Sequence, residues 1–138
     1  MSGRMRLSAA RAALVIALAG SICAMSATVA VAYVTTDMND FNLTESTSFY
    51  GAPTQYHISS GTDGWVSYRW LDSPSKSTVI GASRCSDLAD IGTTVTIPAG
   101  NTNYQNLFNQ GAGYCFAVHG RTSAGQGSMS LYDGRIQR

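Results

Sequence analysis

Apolar and polar residues alternate along several short stretches of this 138-residue chain, and long helical patterns are absent. In "WVSYRWL", residues 65–71, alternation places Val66, Tyr68 and Trp70 on one face and the polar side chains on the other. A period of two residues is typical of a β-strand with one buried face. The same reasoning predicts further strands over 93–100, 113–122 and 128–136, and weaker ones over 41–46, 54–59, 77–83 and 104–108.

Turn signals separate these segments. "SSGTDG", 59–64, holds the hairpin pair Asp63-Gly64, and the glycine-rich "SAGQG", 123–127, is predicted to join 113–122 to 128–136 as a hairpin. "CSDLADIG", 85–92, is the best candidate for a helical turn. Many short strands with frequent turns predict an all-β fold, a small antiparallel β-sandwich, with a β-barrel as the alternative.

The first 32 residues have the organisation of a secretory signal peptide. A basic segment with Arg4, Arg6 and Arg11 precedes an apolar run, and the small residues of "AVA", 30–32, suit signal peptidase. We therefore expect a secreted protein whose single β domain covers 33–138. The alternative is an uncleaved amino-terminal membrane anchor, because 12–34 is an uncharged stretch long enough to span a bilayer.

Cleavage changes the charge of the protein. The chain has nine Lys and Arg against eight Asp and Glu, and the removed segment carries three of the arginines, so the mature net charge is −2. Scattered arginines and a single lysine argue against a nucleic-acid binder. The mature chain has no second long apolar run, so we predict no membrane segment after cleavage.

Cleavage also leaves two cysteines, Cys85 and Cys115. Export places them in an oxidising compartment, where an even number in a small domain predicts a disulfide. A metal site with His119 is the alternative in "GYCFAVHG", 113–120, but zinc ligands normally come in close pairs and these cysteines are 30 residues apart. We interpret the motif as an ordinary strand with one bridged position.

No motif points to catalysis, and no cofactor or metal is predicted. No Gly-x-Ser-x-Gly sequence surrounds a serine, and spacing does not identify a pair of catalytic carboxylates. Asp37, Asn39 and Asp40 carry oxygen ligands that calcium could use, but the EF-hand pattern is missing, so a solvated polar segment is the preferred interpretation.

All 13 aromatic residues lie in the mature chain. Trp65, Tyr132 and Tyr50 adjoin turn signals, and aromatic side chains with a polar group are favoured at recognition surfaces. We predict a non-catalytic binding module that uses these three rings to recognise an extracellular carbohydrate, cell-wall polymer or protein. The alternatives are a secreted hydrolase, an antibacterial effector, a protease inhibitor presenting Arg84, and a self-associating surface protein with an uncharged edge strand; the oligomeric state stays open.

Overall fold

The computed structural model describes residues 33–51, 55–60 and 65–138, and its regular structure is entirely β-strand. The strands are β1 (Thr35–Leu43), β2 (Ser48–Phe49), β3 (Tyr56–Ile58), β4 (Trp65–Trp70), β5 (Thr78–Arg84), β6 (Asp90–Ile97), β7 (Gln105–Asn109), β8 (Cys115–Thr122) and β9 (Met129–Gln137). No helix in the described part of the chain is long and apolar enough to cross a bilayer. The predicted signal peptide and the Asp63-Gly64 turn lie outside the described residues.

The strands form two antiparallel sheets. In the first sheet the order is β1-β9-β4-β7, and in the second β8 pairs on one side with both β2 and β3 and on the other with β5, which pairs with β6. The sheets do not close on each other, which confirms the predicted β-sandwich over the barrel.

The core lies between the sheets and is rich in aromatic side chains. Trp70 is fully buried and contacts the rings of Tyr68 and Phe41 at centroid distances of 5.2 and 6.0 Å. Its indole N–H donates to the Thr78 hydroxyl at 3.0 Å, a buried hydrogen bond that joins β4 of one sheet to β5 of the other. Alternation in β4 therefore assigns the buried face correctly.

The disulfide is formed as predicted. Cys85 follows β5 and Cys115 begins β8, and their Cα atoms are 5.6 Å apart. The two strands are already paired at this point, because Arg84 lies opposite Phe116. The bridge therefore fixes the pairing of two strands that β6 and β7 separate in sequence.

Two local predictions are wrong. β8 and β9 do not form a hairpin, because residues 123–128 carry the chain from the second sheet to the first. The segment 85–92 makes one turn, closed by the Leu88 N–H bonded to the Arg84 carbonyl at 2.9 Å, and β6 already begins at Asp90. Asp37, Asn39 and Asp40 are exposed, as expected for a solvated polar segment, and they belong to β1.

Candidate functional site

The three predicted ligand-binding rings do not come together. Trp65, the first residue of β4, exposes 40% of its surface. Tyr132 contacts Trp70, the last residue of β4, at 6.1 Å. A strand rises about 3.3 Å per residue, so Trp65 and Trp70 are roughly 17 Å apart along β4.

Tyr132 and Tyr50 are the ends of a continuous chain of packed rings. Tyr50 meets Phe41 edge-on at 5.5 Å, Phe41 contacts Trp70, and Trp70 contacts Tyr132. At one end of this chain of rings the Tyr132 hydroxyl donates to Ser75 Oγ at 2.9 Å. At the other end Tyr50 exposes only 8% of its surface. Tyr50 therefore belongs mainly to the core, which corrects the expectation of an exposed ring.

Tyr50 nevertheless forms one wall of a surface cleft of about 410 Å³, which we call the bulge cleft. The described residues that line it come from β1, β2 and the two described ends of the β2–β3 connection: Asn39, Asp40, Phe41, Asn42, Phe49, Tyr50, Gly51 and Gln55.

The cleft lies where the pairing of β1 with β9 is irregular. Met38 pairs with Gly134 and Phe41 with Tyr132, so β1 holds one extra residue there, and between Tyr132 and Met129 the extra residue is on β9. Each irregularity contains a non-glycine residue in the left-handed region, Asp40 with φ 57° and Leu131 with φ 62°. Such β-bulges redirect side chains and are over-represented beside functional sites.

Hydrogen bonds hold this irregular backbone in place. The Asp40 N–H donates to Asp133 Oδ1 at 3.0 Å, and the Asp133 N–H donates to Asp72 Oδ2 at 3.1 Å. Asn42 bridges the two strands, because its Nδ2 donates to the Asp40 carbonyl at 3.1 Å and its Oδ1 accepts from the Leu131 N–H at 3.2 Å. The Asn42 amide is thus committed to the fold.

Other polar groups of the cleft remain available to a ligand. No hydrogen bond joins the side chain of Asn39, Asp40 or Gln55 to another described residue, and all three are exposed. The Asn39 N–H donates to the Tyr50 hydroxyl at 3.1 Å, which fixes that hydroxyl at the cleft wall. Half-buried Phe49 adds an apolar surface. The cleft therefore presents two amides, one carboxylate and the Phe49 ring, and the largely buried Tyr50 forms part of its wall.

A second cluster lies on the outer face of the second sheet, in a cleft of about 170 Å³. His119 Nε2 is 3.1 Å from Asp90 Oδ1, an ion-pair distance without the angle of a hydrogen bond, and Ser83 Oγ is 3.2 Å from the same oxygen. Serine and histidine thus both contact the acid, whereas in a catalytic triad the serine contacts the histidine.

The other residues considered as catalytic, metal-binding or inhibitory side chains are engaged in contacts within the fold. His57 is buried against Phe116, and burial, aided by the charge of Arg138, lowers the pKa of His57 to about 4. Arg84 forms a two-point ion pair with Asp87 at 2.8 and 3.2 Å. Within the described ranges no group of three or more His, Cys, Asp and Glu is arranged to hold a metal ion.

Sequence reasoning considered Asn39 and Asp40 only as calcium ligands and missed Phe49 and Gln55 as cleft residues. A signal for the bulge does exist: the inward residues Met38, Phe41 and Leu43 are spaced by three and then two positions. The same break in period occurs on the partner strand between Met129 and Tyr132.

No protein-family model and no curated protein sequence matches this chain. A solved structure of Bacillus endospore appendages, which form a family of disulfide-linked pili, is similar over 78% of this chain and 88% of that one, with a TM-score of 0.41 and 8% sequence identity. A similarity of this size carries no conclusion about function.

Proposed function

We propose that the protein is a secreted, non-catalytic binding module that recognises an extracellular carbohydrate through the bulge cleft. The observation that carries the proposal is the lining of that cleft: two amides and a carboxylate without partners among the described residues, beside the rings of Phe49 and Tyr50. Sugar hydroxyls both donate and accept hydrogen bonds, and amides do the same. The apolar faces of sugar rings pack on aromatic side chains.

The size of the cleft favours a small ligand over a protein partner. Its volume of about 410 Å³ lies in the range of small-molecule sites, about 300–1,000 Å³. A stable protein interface buries about 800 Å² on each partner around an apolar core. A saccharide, including a segment of a cell-wall polymer, suits a small polar cleft better.

The acidic groups favour binding over hydrolysis. Glycoside hydrolysis normally uses two carboxyl groups that flank the scissile bond. Asp40 is the only carboxylate among the described residues that line the cleft, and the nearby Asp133 is engaged by the backbone of Asp40.

A glycan array probed with the mature protein, followed by calorimetry on the best neutral glycan, tests the proposal. Asn39→Ala and Gln55→Ala should each weaken binding roughly five- to tenfold, the effect of one lost hydrogen bond. The matched control is Asn103→Ala, an exposed asparagine of the β6–β7 connection. Equal affinity for all variants, or no glycan bound by the wild type, would refute the proposal.

A second candidate function, self-association, is favoured by β6. Within the described residues β6 pairs with β5 alone, and its residues 92–97 carry no charged side chain. Uncharged edge strands of this kind can pair with another chain. Sedimentation at two concentrations should then show larger species for the wild type, and Thr96→Lys should remove them; monomers throughout would eliminate this candidate.

A further inference from the structure

We propose a second binding site, for an oxyanion on a polymer chain, at Arg69 on the outer face of the first sheet. This site is separate from the bulge cleft and does not depend on the carbohydrate proposal. It consists of Arg69 on β4, Tyr104 just before β7, and the neighbouring pair of Arg135 and Asp37.

Strand pairing places two arginines side by side. Arg69 lies directly opposite Arg135 of β9, and Arg135 lies opposite Asp37 of β1. Like charges directly opposite each other destabilise a sheet unless something compensates them.

The single carboxylate of this row is already engaged. Arg135 contacts Asp37 through two N–H groups, with Nε at 2.5 Å from Oδ1 and Nη2 at 3.0 Å from Oδ2. The hydrogen bond from Arg135 lowers the pKa of Asp37, so the pair stays ionised at neutral pH. Among the described residues, no carboxylate forms an ion pair with Arg69. The row therefore carries one uncompensated positive charge.

Arg69 is also held in position. The centre of its guanidinium lies 5.0 Å from the centroid of the Tyr104 ring, within the range of a cation–π contact. Its Nε is buried and has no hydrogen-bond acceptor in the described part of the chain. A guanidinium fixed by a ring loses less freedom when it binds a ligand than a mobile side chain does.

The chemistry of the ligand follows from this arrangement. With Nε buried, the two terminal nitrogens remain to face solvent, and they match the paired oxygens of a carboxylate or a phosphate. Neutral groups flank the site: Ser67 Oγ donates to Asn106 Oδ1 at 2.6 Å, and Gln137 lies beside Ser67 on β9. Trp65 is on the same face, where an extended chain leaving Arg69 could reach it. The ligand that fits this surface is a saccharide or polyol chain that bears carboxylate or phosphate groups.

Calorimetry of the mature protein with three polymers tests the site: oligogalacturonate, poly(glycerol phosphate) and neutral dextran. We expect one of the two anionic polymers to bind, with an affinity that falls as the salt concentration is raised. Comparison of oligogalacturonate with poly(glycerol phosphate) shows whether the site prefers a carboxylate or a phosphate. Arg69→Gln should lower its affinity at least tenfold. Arg121→Gln, which removes the same charge from the outer face of the other sheet, should change it less than twofold.

Three results would overturn the proposal: neither anionic polymer binds the wild type, Arg69→Gln and Arg121→Gln bind the anionic polymer alike, or Arg69→Gln weakens dextran binding as much as it weakens binding of the anionic polymer. Should Arg69→Gln fail to fold, Arg69→Lys keeps the charge without the planar pair of donors and should still lose several-fold in affinity. Asn39→Ala, which tests the bulge cleft, should leave binding of the anionic polymer unchanged, so the two proposals fail separately.

Discussion

Replacing both cysteines by serine, C85S/C115S, should destabilise the domain mainly by increasing the conformational entropy of the unfolded chain. The bridge closes a loop with a sequence separation of 30 residues that contains all of β6 and β7. The chain-entropy model gives about 3.5 kcal/mol for a loop of this length. Both cysteines are half-buried and the backbone bond from Cys85 N–H to the Cys115 carbonyl, 3.4 Å, does not need the sulfurs. The folded state therefore loses little else.

Urea and thermal unfolding of the wild type and the double variant measure this loss. With a denaturant slope of roughly 1.5 kcal/mol/M for a domain of this size, the urea midpoint should fall by roughly 2 M. The melting temperature should fall by about 15 °C. The wild type treated with reductant is the matched control, since it loses the same bond with no change of sequence.

Two results would contradict this prediction: a loss of stability below about 1 kcal/mol in the double variant, or a reduced wild type as stable as the oxidised one. The first result would mean that the unfolded chain already holds β5 near β8. The second would mean that the bridge contributes nothing to the pairing it spans.

Three further changes test the packing and its pH dependence. Tyr68→Phe should leave stability equal or raise it by up to about 1 kcal/mol in urea unfolding. The reason is that the buried Tyr68 hydroxyl has no hydrogen-bond partner among the described residues, and burial raises its pKa well above the usual range. A clear loss of stability would reveal an acceptor. Thr78→Val should cost about 1–3 kcal/mol, because it leaves the buried Trp70 N–H unpaired; an unchanged midpoint would contradict this. The pKa of His57 is about 4 in the folded protein and 6.5 in the unfolded chain. As the pH falls from 7 to 4, the unfolded state therefore takes up a proton before the folded state does. The free energy of unfolding should fall over this range by at most about 3 kcal/mol. His57→Gln should flatten that fall, and identical pH profiles would refute the assignment.

Local pattern was enough to predict much of this fold. Large apolar side chains recur at every second position in β4 and in the first half of β8, and the inward residues Tyr68, Trp70 and Phe116 are fully buried. The disulfide was predicted from the expected oxidising compartment and the number of cysteines, because two cysteines allow a single intramolecular pairing.

Strand partners were harder to predict. The pattern of β9 shows which face is buried but not which strand lies beside it. Its neighbours are set by distant contacts: the Gly127 N–H donates to Glu45 Oε1 at 2.7 Å, and Lys76 Nζ donates to the Ser128 carbonyl at 2.7 Å. These bonds attach the 123–128 connection to other loops, so the glycine-rich segment does not act as a hairpin turn.

The candidate site was least accessible to sequence reasoning. Aspartate tolerates positive φ better than most residues, so Asp40 shows no anomaly in the sequence. The change of spacing between Met38 and Phe41 becomes evident as a bulge only when β9 is known to lie alongside. Tyr50 was predicted as a ligand-binding ring beside a turn, and the sequence did not indicate that it is a core residue.

Binding of a neutral saccharide in the bulge cleft can be observed residue by residue in a heteronuclear NMR titration of ¹⁵N-labelled protein (residues 33–138) with the best neutral glycan. The side-chain amide signals of Asn39 and Gln55 and the backbone amide signal of Asp40 should move on binding, while the Trp65 indole signal should stay in place. Shifts confined to the outer face of either sheet, or no shifts at saturating glycan, would contradict it.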